Sequence, residues 1–515
     1  MNLTQALHRS LQQTPDRIAT IFGDRVRTYT EQGERVARLA GALNGLGVSD
    51  GERVAILSLN SDRYAELLFA IPWANGVLNP VNIRWSAPEI VYSLVESDTA
   101  ILFVDDAFAA AVPAIRDGHP GLTTVVHMGD DATPEGMLSY EALVDSSSPV
   151  EDAMRGGDEI AGLFYTGGTT GFPKGVMLTH ANMLASALGS QATTQIVIPG
   201  GQLLHAAPMF HLADLAAWVM QSMVGGTHVI VPMFEPQAVL TAIQTHHVTN
   251  ALLVPTMIQM LVDHPATPDH DLSSVRTVLY GASPITEALL ERAMKTFPQA
   301  DFVQAYGMTE LSPIATILTG EDHRTGARLR SAGRAAAHAE VRIVDADDNE
   351  VPRGTVGEVT VRGGHVMRGY WNKQAETDEA LRGGWMHTGD GAYMDDEGYI
   401  FIVDRIKDMI ISGGENVYSA EVENAVAQHP AVAACAVIGV PDDEWGERVH
   451  AVVVLKPGAT TTAEELREHA KTLIAGYKAP RTAEFVDALP VSGAGKVLKR
   501  ELRARYWEEG DRGVH

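Results

Sequence analysis

The stretch YTGGTTGFPKGV, Tyr165 to Val176, decides how the rest of the chain is read. Gly167, Gly168, Gly171 and Gly175 permit sharp turns and let backbone N–H groups come close to an anion. Thr166, Thr169 and Thr170 add hydroxyl donors, and Lys174 adds a positive charge. These are the parts of a phosphate cradle. A Walker A loop needs G-x-x-x-x-G-K-[ST], whereas Lys174 follows Pro173 and precedes Gly175, so this is a loop of another kind. A glycine-rich surface turn is the competing reading. The apolar run 160–164, suited to a short buried strand, and a helix start near Thr179 weigh toward a ligand loop held between regular elements.

Working outward, the N-terminal side alternates helix-like segments with short apolar runs. Gly47 stops a helix ahead of the strand-like residues 53–60, and Ser86 with Glu89 makes a capping box for the helix carrying Ile90 and Leu94. Residues 101–105 and 124–128 continue the pattern, and the polar stretch 145–158 reads as a surface connection. On the C-terminal side, residues 228–233, 251–256 and 277–283 read as strands ending in turns. Such alternation predicts an α/β layered fold with substantial parallel sheet. Ligands on these sheets lie at the carboxyl ends of strands, where residues 281–283 and 304–310 fall.

From Ala339 onward valines and isoleucines alternate with polar residues and turns, as in hairpins of a smaller antiparallel sheet. Beyond Lys407, Ser419 caps a helix whose Val422, Ala425 and Val426 share one face, and Thr462 with Glu465 forms a second capping box. The expected division is a large N-terminal domain over 1–406, built of layered α/β subdomains plus the small antiparallel sheet, and a smaller C-terminal α/β domain over 407–515.

Composition narrows the function classes. The 515 residues suit a multidomain enzyme, and 45% hydrophobic with 20% charged residues excludes disordered and fibrous chains. The strongest apolar run, 432–440, which reads as a buried strand, is far short of the roughly eighteen residues that cross a bilayer. The first residues, MNLTQALHRSLQQTPDR, do not read as a secretory signal. The single cysteine, Cys435, permits no intrachain disulfide and suits a reducing cytoplasm. A net charge of −26 argues against nucleic acid or anionic lipid as a partner. Anionic substrates must then be met by local positive features such as Lys174, Arg405 and Lys496. The adjacent His246 and His247 lack zinc spacing and read as a helix or loop surface.

The loop resembles the signature of the adenylate-forming superfamily, which includes acyl- and aryl-CoA synthetases, firefly luciferase and nonribosomal adenylation domains. Further segments fit the same pattern in order: APMFH at 207–211, GAS at 281–283, QAYGMTE at 304–310, GWMHTGD at 384–390, DRIKDMIISGGENVYSAEVE at 404–423 and PVSGAGKVLKREL at 490–502. The resemblance covers nearly the whole chain and implies an AMP-forming acid–thiol ligase of the fatty-acid or aryl-acid CoA ligase branch. In such an enzyme a carboxylate attacks the α-phosphate of ATP, pyrophosphate leaves, and the thiol of coenzyme A displaces AMP from the acyl-AMP.

The resemblance also implies roles. Thr166, Gly167, Gly168, Thr169, Thr170 and Lys174 would hold the β- and γ-phosphates. Thr309 would contact the α-phosphate and Glu310 would bind Mg²⁺, for which one carboxylate plus phosphates suffices. Gly281, Ala282, Ser283, Gln304, Ala305, Tyr306 and Gly307 would line the nucleotide, with Tyr306 stacked on adenine. Asp390 and Arg405 would hold the ribose, Lys496 would act as the catalytic lysine, and Lys407 would be the hinge of a mobile C-terminal domain. Gly413, Gly414 and Glu415 would border the coenzyme A path, and His211 would stand between acyl pocket and thiol. Read without the family, Thr309–Glu310 is a helix start, Asp390 a turn residue, Tyr306 a core residue, Lys496 a solvated lysine in a basic run, and His211 a core or surface histidine. Val491 and Ala494 stand where the family usually has a basic residue and a hydroxyl. The acid pocket implied by His211, Leu212, Ala213, Met257, Ala282, Ala305, Leu311 and Pro313 is mostly apolar and favours a monocarboxylic acid. Transfer to a separate carrier protein, oxygenation of the acyl-AMP and a non-catalytic nucleotide-binding role stand as alternatives. A homodimer is an option that the sequence leaves open.

Overall fold

The computed structural model describes the chain apart from residues 167–172, 284, 406–407, 413–414, 443–444, 492–496 and 508–515. Two compact units result: residues 1–341 with 361–386, and residues 342–360 with 387–515. This division by compactness runs differently from the 1–406 and 407–515 division expected above, which concerns motion about Lys407, a residue outside those described.

The first unit holds two large sheets. One has eight strands in the order Gly369–Tyr370, Lys174–Thr179, Ile160–Thr166, Val77–Pro80, Arg53–Leu57, Ile101–Val104, Thr124–His127 and Leu138–Ser139. It is parallel from Ile160–Thr166 to its far edge. The strand Lys174–Thr179 runs antiparallel to both neighbours. The glycine-rich segment therefore joins the two arms of a hairpin at the point where the parallel sheet ends. The other sheet has nine strands, among them the parallel neighbours Gln202–His205, Asn250–Leu252, Thr277–Gly281 and Asp301–Gly307. Ala55, Leu57, Leu94, Leu102 and Val104 share one of the buried clusters that fill the space between sheet and helices.

Local signals explain the helix starts. Thr179 caps the helix His180–Thr193, completing a capping box with Asn182. Ser86 and Glu89 do the same for Ala87–Glu96, and Thr462 with Glu465 for Ala463–Lys471. The helix Tyr29–Gly45 is followed by Gly47 at φ 96°, a backbone conformation that glycine adopts without strain. Three expectations shift. The strand expected over 251–256 stops at Leu252, and a helix opens at Pro255, whose missing N–H is harmless at a first helical position. The strand expected over 228–233 is Thr227–Ile230. Ser419 is the first residue of its helix, and the cap comes from Asp404, which accepts from both the Ser419 N–H and its hydroxyl.

The second unit carries most of a four-stranded sheet, Glu340–Val344, Gly357–Arg362, Met386–Met394 and Ile400–Arg405, and a five-stranded sheet in which Val432–Asp442 pairs antiparallel with Gly446–Leu455. Val422, Val426, Val437, Val449, Leu466 and Ala470 form its core beneath two helices. Cys435 lies half-buried on the first of these long strands. His246 ends a helix and His247 follows it at φ 50°. No described helix is long and apolar enough to cross a membrane.

Candidate active site

Strand order brings the sequence-distant segments of the first unit together. Thr166 and Lys174 face each other across the hairpin, so the two ends of the glycine segment are fixed side by side. Gly167, Gly168, Thr169 and Thr170 lie outside the described residues. The neighbouring strand Gly369–Tyr370 pairs Tyr370 with Val176, and the Lys174 Nζ stands 4.9 Å from the centre of the Tyr370 ring. The Tyr370 hydroxyl donates to Glu310 Oε1 at 2.9 Å. Burial, reinforced by the Glu310 carboxylate, pushes the Tyr370 hydroxyl well above the usual phenol range, so it stays a donor. The Met367 N–H donates to the Glu310 carbonyl at 2.8 Å, so backbone as well as side chain holds this acidic residue. Glu310 is 5% exposed. A cation over the ring and a carboxylate on the hydroxyl are thus joined through one tyrosine, and that ring belongs to a segment the sequence reading did not single out. Its only signal was the aromatic pair Tyr370–Trp371 after a glycine, which has no diagnostic spacing.

The expected nucleotide-lining residues are neighbours. Gly281 and Ala305 are register partners at the carboxyl ends of two parallel strands. A Cβ on Gly281 would come 2.3 Å from the Ala305 carbonyl oxygen, so only glycine lets these strand ends approach. Ala282 follows at φ 66°, a left-handed conformation that costs a non-glycine residue roughly 1 kcal/mol or more. Ala282 is exposed and Ser283 half-buried. Gln304, Ala305, Tyr306 and Gly307 finish the strand Asp301–Gly307, and Gln304 accepts from the Tyr280 hydroxyl at 3.3 Å. Thr309, Glu310 and Leu311 form a single 3-10 turn directly after it. Sequence continuity therefore links the Gln304–Gly307 wall to Glu310, and Glu310 to Tyr370 and Lys174.

Other expected residues stand elsewhere. His211 precedes the helix Leu212–Met223, with its ring 4.2 Å from that of Phe210. In the second unit Asp390 and Arg405 are register partners on adjacent antiparallel strands, Arg405 and Glu415 being described by backbone alone. Asp390 is 9% exposed, and its N–H donates to the Thr388 hydroxyl at 3.1 Å. Lys407, Gly413, Gly414 and Lys496 lie outside the described residues. Among the described residues no group of three or more His, Cys, Asp or Glu could hold a metal by itself. Glu310 offers a carboxylate, an oxygen donor of the kind that a hard cation takes together with phosphate oxygens.

Comparison with known proteins follows the same outline. Residues 7–371 match the AMP-binding enzyme family, and residues 421–496 match the AMP-binding enzyme C-terminal domain. A feruloyl-CoA synthase of an Amycolatopsis species is 40% identical over 499 residues, covering 97% of this chain and 98% of that protein. A fatty acid–[acyl-carrier-protein] ligase, ScoC of Streptomyces coeruleorubidus, is 36% identical over 518 residues, covering 100% and 98%. The crystal structure of the anthranilate CoA ligase AuaEII with anthranoyl-AMP aligns with a TM-score of 0.90 and 28% identity, covering 98% of this chain and 97% of that one.

Proposed function

The chain belongs to the AMP-binding enzyme family, and from that premise we propose how its residues activate an acid. It is an adenylate-forming acid–thiol ligase that converts a monocarboxylic fatty or aryl acid into its acyl-AMP and then into its coenzyme A thioester. ATP and coenzyme A are its co-substrates. The observation that carries the assignment of residues is the joining of Lys174 and Glu310 through Tyr370, which sets a positive charge and an oxygen donor about one ring beside the strand that begins at Lys174.

A carboxylate is a poor electrophile, and negative charge gathers on the phosphates as pyrophosphate departs. Fixed positive charge and preorganised donors in a water-poor site stabilise that charge. In this reading Lys174 and the N–H and hydroxyl groups between Thr166 and Lys174 hold the β- and γ-phosphates. Thr309 donates to the α-phosphate, and the strand ends at Gly281–Ser283 and Gln304–Gly307 take the adenine. Mg²⁺, held by Glu310 and phosphate oxygens, would supply further charge neutralisation when bound. Asp390, supported by Arg405, holds the ribose hydroxyls, and Lys496 bridges the reacting carboxylate and the α-phosphate. Lys407 is the hinge between a first domain of 1–406 and a second of 407–515. After turning about it, Gly413, Gly414 and Glu415 border the thiol path, with His211 facing the acyl group. The enzyme is placed in the cytoplasm and acts on small molecules, as a monomer or homodimer that sedimentation distinguishes.

Transfer to a carrier protein is the second reading, favoured by the likeness to the carrier-protein ligase. The test is exchange of labelled pyrophosphate into ATP across short, medium, long and aryl acids, followed by thioester formation with coenzyme A and with a carrier protein. Exchange with at least one acid and thioester with coenzyme A are expected. Thioester only on the carrier protein would favour the second reading, and no exchange with any acid would overturn both.

A further inference from the structure

Glu96 stands outside every motif quoted above, yet it anchors both sides of the strand that carries Lys174. It is the last residue of the helix Ala87–Glu96. Its carboxylate accepts from the Tyr165 hydroxyl, and its backbone carbonyl accepts from Trp371 Nε1 at 3.0 Å. Tyr165 sits on the strand to one side of Lys174–Thr179, and Trp371 directly follows the strand on the other. Both residues close on Gly175. The Tyr165 ring lies where a Gly175 Cβ would meet its Cζ at 3.0 Å, and the Trp371 N–H donates to the Gly175 carbonyl at 2.7 Å. The residue next to Lys174 is therefore gripped from its α-carbon and from its carbonyl by two aromatic residues that share one anchor.

The grip is built of desolvated groups. Burial pushes the Glu96 carboxyl above its usual range, against the Tyr165 hydroxyl and Lys373, and its second oxygen is buried without a hydrogen-bond partner. Trp85 packs edge-on to Tyr165 at 6.3 Å, and the Arg53 guanidinium lies 5.7 Å from the Trp371 ring. A helix end thus fixes the two flanks of one strand, while the ammonium of Lys174 remains aimed at Tyr370.

We propose that Glu96 is a positioning residue that, through Tyr165 and Trp371 on Gly175, sets Lys174 for the outer phosphates of the nucleotide. The inference rests on the phosphate role of Lys174 proposed above. It predicts a selective defect, because in that role Lys174 meets only the β- and γ-phosphates. In titration calorimetry of the full chain, Glu96→Leu should weaken MgATP binding about tenfold and leave AMP binding within about twofold. Glu96→Gln, whose amide oxygen still accepts from Tyr165, should keep most of the ATP affinity. Tyr165→Phe, which removes only the hydroxyl, should match Glu96→Leu, and the double variant should add little to either. If Glu96→Leu does not fold, Tyr165→Phe and Glu96→Gln decide the matter. Equal loss of ATP and AMP affinity, no loss of either, or additive effects in the double variant would overturn the proposal. Lys174→Met separates the two readings. Should it leave ATP and AMP affinities unchanged, the phosphate assignment itself fails; should it weaken ATP alone while Glu96→Leu and Tyr165→Phe do not, only the role of Glu96 falls.

Discussion

Replacing Lys499 by methionine tests how the second unit is held together. Lys499 lies in the basic segment after Lys496, its side chain is only 14% exposed and its Nζ sits 2.8 Å from Glu423 Oε1. It also donates to the Ser419 hydroxyl, which in turn donates to Asp404 at 2.6 Å, so one ammonium ties the helices Ser419–Ala427 and Lys499–Arg503 to the Asp404 strand. Burial works to lower Lys499, but Glu423 and Asp404 outweigh it and hold the ammonium above its usual range. Burial pushes the Glu423 carboxyl up despite Lys499. Removing one partner of such a buried pair costs roughly 3–5 kcal/mol. The low end applies, because Glu423 keeps 23% exposure and the Val437 N–H at 2.7 Å. A loss of about 3 kcal/mol speeds hydrogen exchange in peptides spanning 419–427 and 499–503 by roughly a hundredfold. The sign with pH follows from Glu423. A carboxyl whose folded pKa is raised binds its proton more tightly when folded, so its contribution favours folding at low pH and is lost as pH rises through the folded pKa. Without Lys499 the Glu423 pKa rises further, and the defect should be largest at about pH 8 and shrink toward about pH 5. Adding Glu423→Gln should restore at least half of the loss. Exchange rates unchanged in the single variant, or a defect that grows on acidification, would refute the reasoning.

The remaining expectations concern the site. Ala282→Gly relieves a left-handed conformation and should stabilise the chain by about 0.5–1 kcal/mol after the extra freedom of unfolded glycine is counted, read as a raised melting midpoint. Lys496→Ala should abolish formation of acyl-AMP while sparing thioester formation from supplied acyl-AMP, measured in single turnover; equal loss in both steps would contradict a role in one arrangement only. Lys407→Pro fixes φ at the proposed hinge and should stop one half-reaction while leaving the other, and normal rates for both would remove Lys407 as the pivot.

Much of the fold was legible because its signals are local. Thr179, Ser86 and Thr462 each cap the helix that the sequence assigns to them, since a capping box needs only two side chains three residues apart. The same locality explains the misreadings. Ala251 to Leu252 and Pro255 to Met257 are one apolar run in sequence, and only the proline separates strand from helix. At Ser419 the hydroxyl is a donor to Asp404 rather than the cap, because the carboxylate arriving from an earlier strand is the stronger acceptor and nothing near Ser419 in sequence announces it.

The site divides along the same line. Glycine segments and strand ends are readable because their chemistry is carried by consecutive residues, and the register Thr166 with Lys174 and Gly281 with Ala305 places them as neighbours. Tyr370 and Glu96 are not readable, because each acts across a sheet. The meaning of Tyr370 depends on a strand pairing that brings residue 370 beside residue 176, and that of Glu96 on a helix end reaching two strands that flank a third. A glycine loop supplies donors but no rigidity of its own. The groups that fix such a loop must therefore come from elements distant from it in sequence, here a helix before it and a strand after it. On the role proposed for Glu96, the residues that tune phosphate affinity in this chain are to be sought one layer behind the motif, where one acceptor serves two strands at once.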